Sequence, residues 1–185
     1  MNCYPGTIIE ANSRGGEFLD GIFNATAGIV MSQLKEITGL NAPTVQNWAN
    51  RGWISRPVNK KYTKDQTARI LIINMLRDTM SLEDISKLLV YVNGDVNDRS
   101  DDIIPESALY ALICEVLESG EPDGNYKKII DDMAKNFDEK IPGSKSRVKE
   151  ALTIITLEYK ASLILGTCRK LLSGIKKSNI LGRPF

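Results

Sequence analysis

Apolar side chains recur at helical spacing along most of the chain, and the breaks between these stretches are sharp. Met31, Leu34 and Ile37 share one face of a helix over about 31–38, and Gly39 follows where a left-handed residue ends a helix. A second helix is predicted over about 42–50. Asn41 is its N-cap, Leu40 can staple to Val45 across the cap, and Pro43 sits in the first turn, where a missing N–H is harmless. Residues Trp53–Tyr62 are short, contain Pro57 and read as two brief strands. Thr63 with Gln66 forms a capping box for a third helix, whose stripe is Ala68, Leu71, Ile72, Met75 and Leu76. Ser81 with Asp84 starts a fourth, continued by Ile85, Leu88, Leu89 and Val92.

Beyond the polar, acidic stretch Asn93–Asp102, helices are predicted over about 105–118, 126–137 and 144–176. The last carries Ile154, Leu157, Ala161, Ile164, Cys168, Leu171 and Ile175 in alternating steps of three and four, a heptad seam. A second row, Leu152, Ile155, Tyr159 and Leu163, flanks it. This pattern predicts an all-α protein with a small β-wing, in which a winged helix-turn-helix is followed by a helical bundle. Three segments follow: an N-terminal arm over 1–28, a winged helix-turn-helix unit over 29–92, and a C-terminal helical unit over 93–185.

The composition, 42% hydrophobic and 25% charged, is ordinary for a globular chain. Histidine is absent, which removes the commonest general base and speaks against an enzyme. Cys3, Cys114 and Cys168 stand far apart without a CxxC pair, so neither a disulfide framework nor a zinc site is expected, and a reducing cytoplasm fits. No cofactor is implied. No uninterrupted apolar run reaches the ~18 residues of a membrane span, and no membrane partner is expected. Asp95, Asn97, Asp101 and Glu106 are spaced faintly like a calcium loop, but Ser100 stands where that loop needs glycine.

Net charge is +1, yet it is unevenly distributed. Residues 31–77 carry +6, whereas residues 78–158 carry −9. Within the basic segment Arg51, Arg56, Lys60, Lys61 and Lys64 fall in a stretch without an acid. Cations that follow a helix-turn-helix suit a phosphate backbone. With Val45 and Trp48 turned inward at i and i+3, Asn41, Thr44, Gln46, Asn47 and Arg51 are left outward to meet base edges or phosphates. Double-stranded DNA is therefore the expected partner. The seam suggests a homodimer, and the C-terminal half is the place for a small-molecule or protein effector.

The ordered set Gly39-Leu40-Asn41-Ala42-Pro43-Thr44-Val45-Gln46-Asn47-Trp48, Arg51-Gly52-Trp53-Ile54, Pro57, Lys60-Lys61-Tyr62-Thr63 and Met80-Ser81-Leu82-Glu83-Asp84-Ile85 resembles the DNA-binding domain of the MerR regulators. Arg56-Pro57-Val58-Asn59-Lys60-Lys61-Tyr62-Thr63 also resembles an uncharacterised bacterial MerR-like family, a domain of unknown function. The resemblance covers about residues 30–92. It implies a winged-helix fold, a homodimer and a transcriptional regulator that binds its operator through the second helix and the wing. It matches Thr44 to the recognition-helix threonine, Trp48 to its core aromatic, and Lys60 and Tyr62 to the basic and aromatic wing positions. Where the family carries Arg and an aromatic, this chain has Gln46 and Asn47. That departure motivates the alternative of a protein–protein interaction module without DNA binding.

Overall fold

The computed structural model describes residues 3–98, 100–119, 126–135, 137–139 and 141–177. Residues 178–185, the end of the expected C-terminal unit, lie outside the described residues. The chain is mainly helical. Its elements are α1 (Gly15–Phe23), β1 (Ile29–Val30), α2 (Met31–Thr38), α3 (Ala42–Asn50), β2 (Lys61–Tyr62), α4 (Lys64–Leu76), α5 (Leu82–Asn93), α6 (Glu106–Ser119), α7 (Tyr126–Lys135) and α8 (Ser144–Lys177).

The helix caps lie where the residue types place them. Asn41 Oδ1 accepts from the Thr44 N–H at 2.9 Å, Ser81 Oγ from the Asp84 N–H at 3.1 Å, and Thr63 with Gln66 closes a reciprocal box. Helix α4 is the axis of the molecule. The sequence predicts one apolar stripe, but ten of its thirteen residues are buried, including Thr67, Arg69, Ile70 and Ile73. A helix enclosed on every side needs an all-round apolar or paired surface. It gains this from α1, α2, α5, α6 and α8, which all pack against it.

Three expectations are corrected here. First, residues 3–28 pack onto the body and do not stand apart as an arm. Tyr4 is buried and stacks on Phe18 at 4.3 Å, and the Tyr110 hydroxyl donates to the Pro5 carbonyl at 2.8 Å. Second, Asn93–Asp102 does not separate two cores. One buried cluster runs from Leu19 to Ile155, and the buried Asn93 spans the loop by donating to the Ile104 carbonyl at 2.6 Å. Third, the β-wing is not built. Among the described residues, the stretch 53–62 holds only a tight turn closed by the Val58–Lys61 bridge, and β2 pairs with β1, antiparallel, in the register Ile29↔Tyr62. Two residues per strand make a clasp that ties the entry of α2 to the entry of α4.

Helix α8 changes character along its length. Val148, Ala151, Leu152 and Ile155 are buried in the core, whereas Leu157, Leu163, Ile164, Leu171, Leu172 and Ile175 are exposed. Its Ser144–Ile175 portion is long and apolar enough to cross a membrane by length and composition, although its first turns are spent on the core.

Candidate nucleic-acid interface

The turn between α2 and α3 is fixed by short-range bonds. Thr38 Oγ1 donates to the Leu34 carbonyl at 2.7 Å and accepts from the Leu40 N–H at 3.1 Å. Gly39 has φ 72°, the left-handed conformation that ends α2 without a Cβ clash. Leu40 is buried beneath the turn, and Val45 and Trp48 fix the inner face of α3. Gln46, Asn47 and Asn50 are thereby exposed on the outer face.

Asn59 and Lys60 follow at the tip of the next turn with φ 50° and 61°. The Val58 N–H donates to the Lys61 carbonyl at 3.1 Å, and the Lys61 N–H donates back at 2.9 Å. Two successive left-handed residues inside reciprocal bonds form the two-residue turn whose twist suits antiparallel chains. Gln66 holds the approach to this turn. Its Nε2 donates to Ser55 Oγ and to the Arg56 carbonyl, both at 2.9 Å.

Helix α3 and this turn enclose a groove of about 580 Å³, lined by residues that include Gln46, Asn50, Arg56, Lys60 and Tyr62. No carboxylate lines it among the described residues. The guanidinium of Arg56 donates to Asn50 Oδ1 at 3.0 Å, which holds a cation beside α3. Four of the ten expected site residues thus share one groove. Tyr62 is its floor and not an exposed contact. It is buried, its hydroxyl points at Met31 Sδ at 3.9 Å, and burial raises its pKa.

The other six are dispersed. Asn47 is exposed on α3 but does not line the groove. Lys61 is exposed and alternates with Tyr62 to the opposite side of β2. Neither Lys60 nor Lys61 has an ion-pair partner among the described residues. Asn41 and Thr44 bond each other at the cap, with Thr44 Oγ1 donating to Asn41 Oδ1 at 2.7 Å. Arg51 lies over the Trp53 ring at 5.2 Å and reaches Glu83 at 3.6 Å. Lys64 is paired with Asp20. The two cations at the ends of the basic run are therefore partly neutralised from α5 and α1.

Sequence reasoning missed Asn50 and Arg69. Asn50 stands one helical turn after Gln46, a spacing that could have placed it on the same face. Arg69 contributes to the basic count of residues 31–77, yet it is buried and bonded to Glu106.

A family model described as a domain of unknown function, DUF1836, matches residues 18–113, from within α1 to within α6. The chain belongs to the DUF1836 family. This overturns the expected membership of the MerR regulators. The unit matched extends through α1 and α6, which pack around α4, well beyond the stretch 30–92 on which that resemblance rested. The DUF1836 chain is also similar to "Uncharacterized protein YkrK" of Bacillus subtilis (strain 168), with 32% identity over 95 residues, covering 49% of this chain and 41% of the relative. The chain thus matches less than half the length of that relative. No solved structure matches.

Proposed function

We propose that this protein binds duplex DNA as a transcriptional regulator, with α3 presented to the major groove and the 56–60 turn to the adjacent phosphates. The observation that carries this reading is the acid-free groove in which Gln46 and Asn50 stand beside Arg56 and Lys60. Amides on an exposed helix can pair with base edges, and neighbouring cations can neutralise phosphates. An α-helix fits the major groove, and α3 exposes its polar face along its length. The exposed seam of α8 supports a homodimer, since apolar residues repeating at 3.5 spacing pair readily with a second such helix.

The test is fluorescence anisotropy or gel shift with the purified chain on genomic fragments, followed by selection from random duplexes. The expected result is a retained subset of sequences whose affinity falls steeply with salt and is lost in Arg56→Glu and Lys60→Glu. Uniform failure to retain duplex DNA at low salt contradicts the reading.

A second reading is a protein–protein module on the same groove. It is favoured by the pairing of Arg51 with Glu83 and of Lys64 with Asp20, which reduces the positive field, and by Val30, Met31, Ala49 and Pro57 in the groove lining. Binding there would be little affected by salt, so the same titration separates the two readings.

A further inference from the structure

Away from that groove, α6, α7 and α8 enclose a cavity of about 660 Å³. Its walls are mostly aliphatic or aromatic, with Leu112 from α6, Met133 from α7, Phe137 just beyond it, and Val148 and Leu152 from α8. A pocket of this size, apolar with a few polar groups at its edge, is the usual form of a small-molecule site. Four charged residues also line it: Glu115, Asp132, Lys145 and Lys149. Two of these are already paired, Asp132 with Lys135 and Lys149 with Asp131, each at 2.5 Å. Glu115 is exposed, so water solvates its charge.

Lys145 differs from the other three. It is half-buried, lines the apolar cavity and has no ion-pair partner among the described residues. It also lies in the first turn of α8, where the helix dipole adds positive potential, although the Glu139 carboxylate already accepts from the Gly143 N–H at 2.8 Å just before the helix. A partly desolvated ammonium without a partner is an incomplete arrangement, because desolvation penalises an uncompensated charge. We propose that this cavity binds a small amphipathic carboxylate, its apolar body against Leu112, Met133, Phe137 and Leu152 and its head on the Lys145 ammonium. Charge complementarity selects the anion, because the half-buried unpaired charge at the cavity is positive while the carboxylates are exposed or paired. The site is independent of the DNA reading, and its test requires no DNA.

Calorimetric titration of the full chain with decanoate, decanol and decylammonium, all below their aggregation limits, tests the site. Saturable binding of decanoate is expected, with decanol weaker and decylammonium weakest. Lys145→Met should weaken decanoate about tenfold, the scale of one charge-assisted bond, and leave decanol unchanged. Ala108→Phe, which fills the cavity from its α6 wall, should abolish both while the far-ultraviolet spectrum stays that of the parent. Absence of saturable decanoate binding, equal affinity for decanol, or indifference of decanoate to Lys145→Met overturns the proposal.

Discussion

Arg69 of α4 and Glu106 of α6 meet at 3.0 Å with both side chains almost wholly excluded from solvent. The Nε of Arg69 also donates to the Trp53 carbonyl at 2.6 Å. One guanidinium therefore fastens the chain leaving α3 to the first residue of α6. Breaking such a buried pair from one side strands a charge, which typically costs about 3–5 kcal/mol. Glu106→Gln is expected to destabilise the protein on this scale in urea denaturation. The double variant Arg69→Met with Glu106→Leu should recover most of the loss, because no uncompensated charge remains.

Lys60 occupies left-handed backbone without being glycine. Such a residue is strained by about 1 kcal/mol. Lys60→Gly is therefore expected to raise the midpoint of chemical denaturation while lowering affinity for duplex DNA, since it relieves the turn and removes a cation. Opposite signs in the two measurements distinguish a functional lysine from a merely tolerated one.

The second half of α8 carries its apolar seam in the open, with Ile164 and Leu171 each about two-thirds exposed. Sedimentation of the parent chain is expected to show a dimer. Ile164→Lys combined with Leu171→Lys should give a monomer with an unchanged melting transition of the core at low concentration, because neither side chain packs against the body. A parent that sediments as a monomer at all concentrations would falsify this assignment.

The three thiols should separate by reactivity. Cys168 is exposed, Cys3 is half-buried and Cys114 is buried. Burial pushes the Cys114 thiol up from 9.0 to about 12. A folded-state value above the unfolded one keeps its stabilising contribution below about pH 9 and loses it as pH climbs toward 12. Maleimide labelling near pH 8 is expected to modify Cys168 first, Cys3 more slowly and Cys114 only on unfolding. Alkaline titration should destabilise the parent more than Cys114→Ala, relative to each protein's stability at neutral pH.

Much of the fold could be read from local chemistry. Asn41, Thr63 and Ser81 are caps whose signals need only a few neighbours, and Val45 with Trp48 shows which way α3 faces. The missed features depend on partners distant in sequence. The apolar stripe of α4 gives no hint that Ile70, Ile73 and Arg69 are covered too, because α1, α6 and α8 supply that cover. The β-wing failed for a similar reason: Tyr62 finds its strand partner at Ile29 and not within its own hairpin. At the candidate site the cations of the 51–64 run were evident, but Asp20 and Glu83, which engage Lys64 and Arg51, lie on other elements. Sequence proximity gathered these cations into one patch, while the fold divides them among a groove, a strand face and two ion pairs.

The most direct test of the account is the salt dependence of duplex binding for the parent and for Arg56→Gln, Lys60→Gln and Lys61→Gln. The account predicts that affinity falls linearly on a logarithmic salt scale, and that the first two variants each reduce the slope by about one. It predicts a smaller change for Lys61→Gln, since that side chain lies off the groove. Binding that is absent, insensitive to salt, or equally unaffected by Arg56→Gln and Lys60→Gln would contradict it.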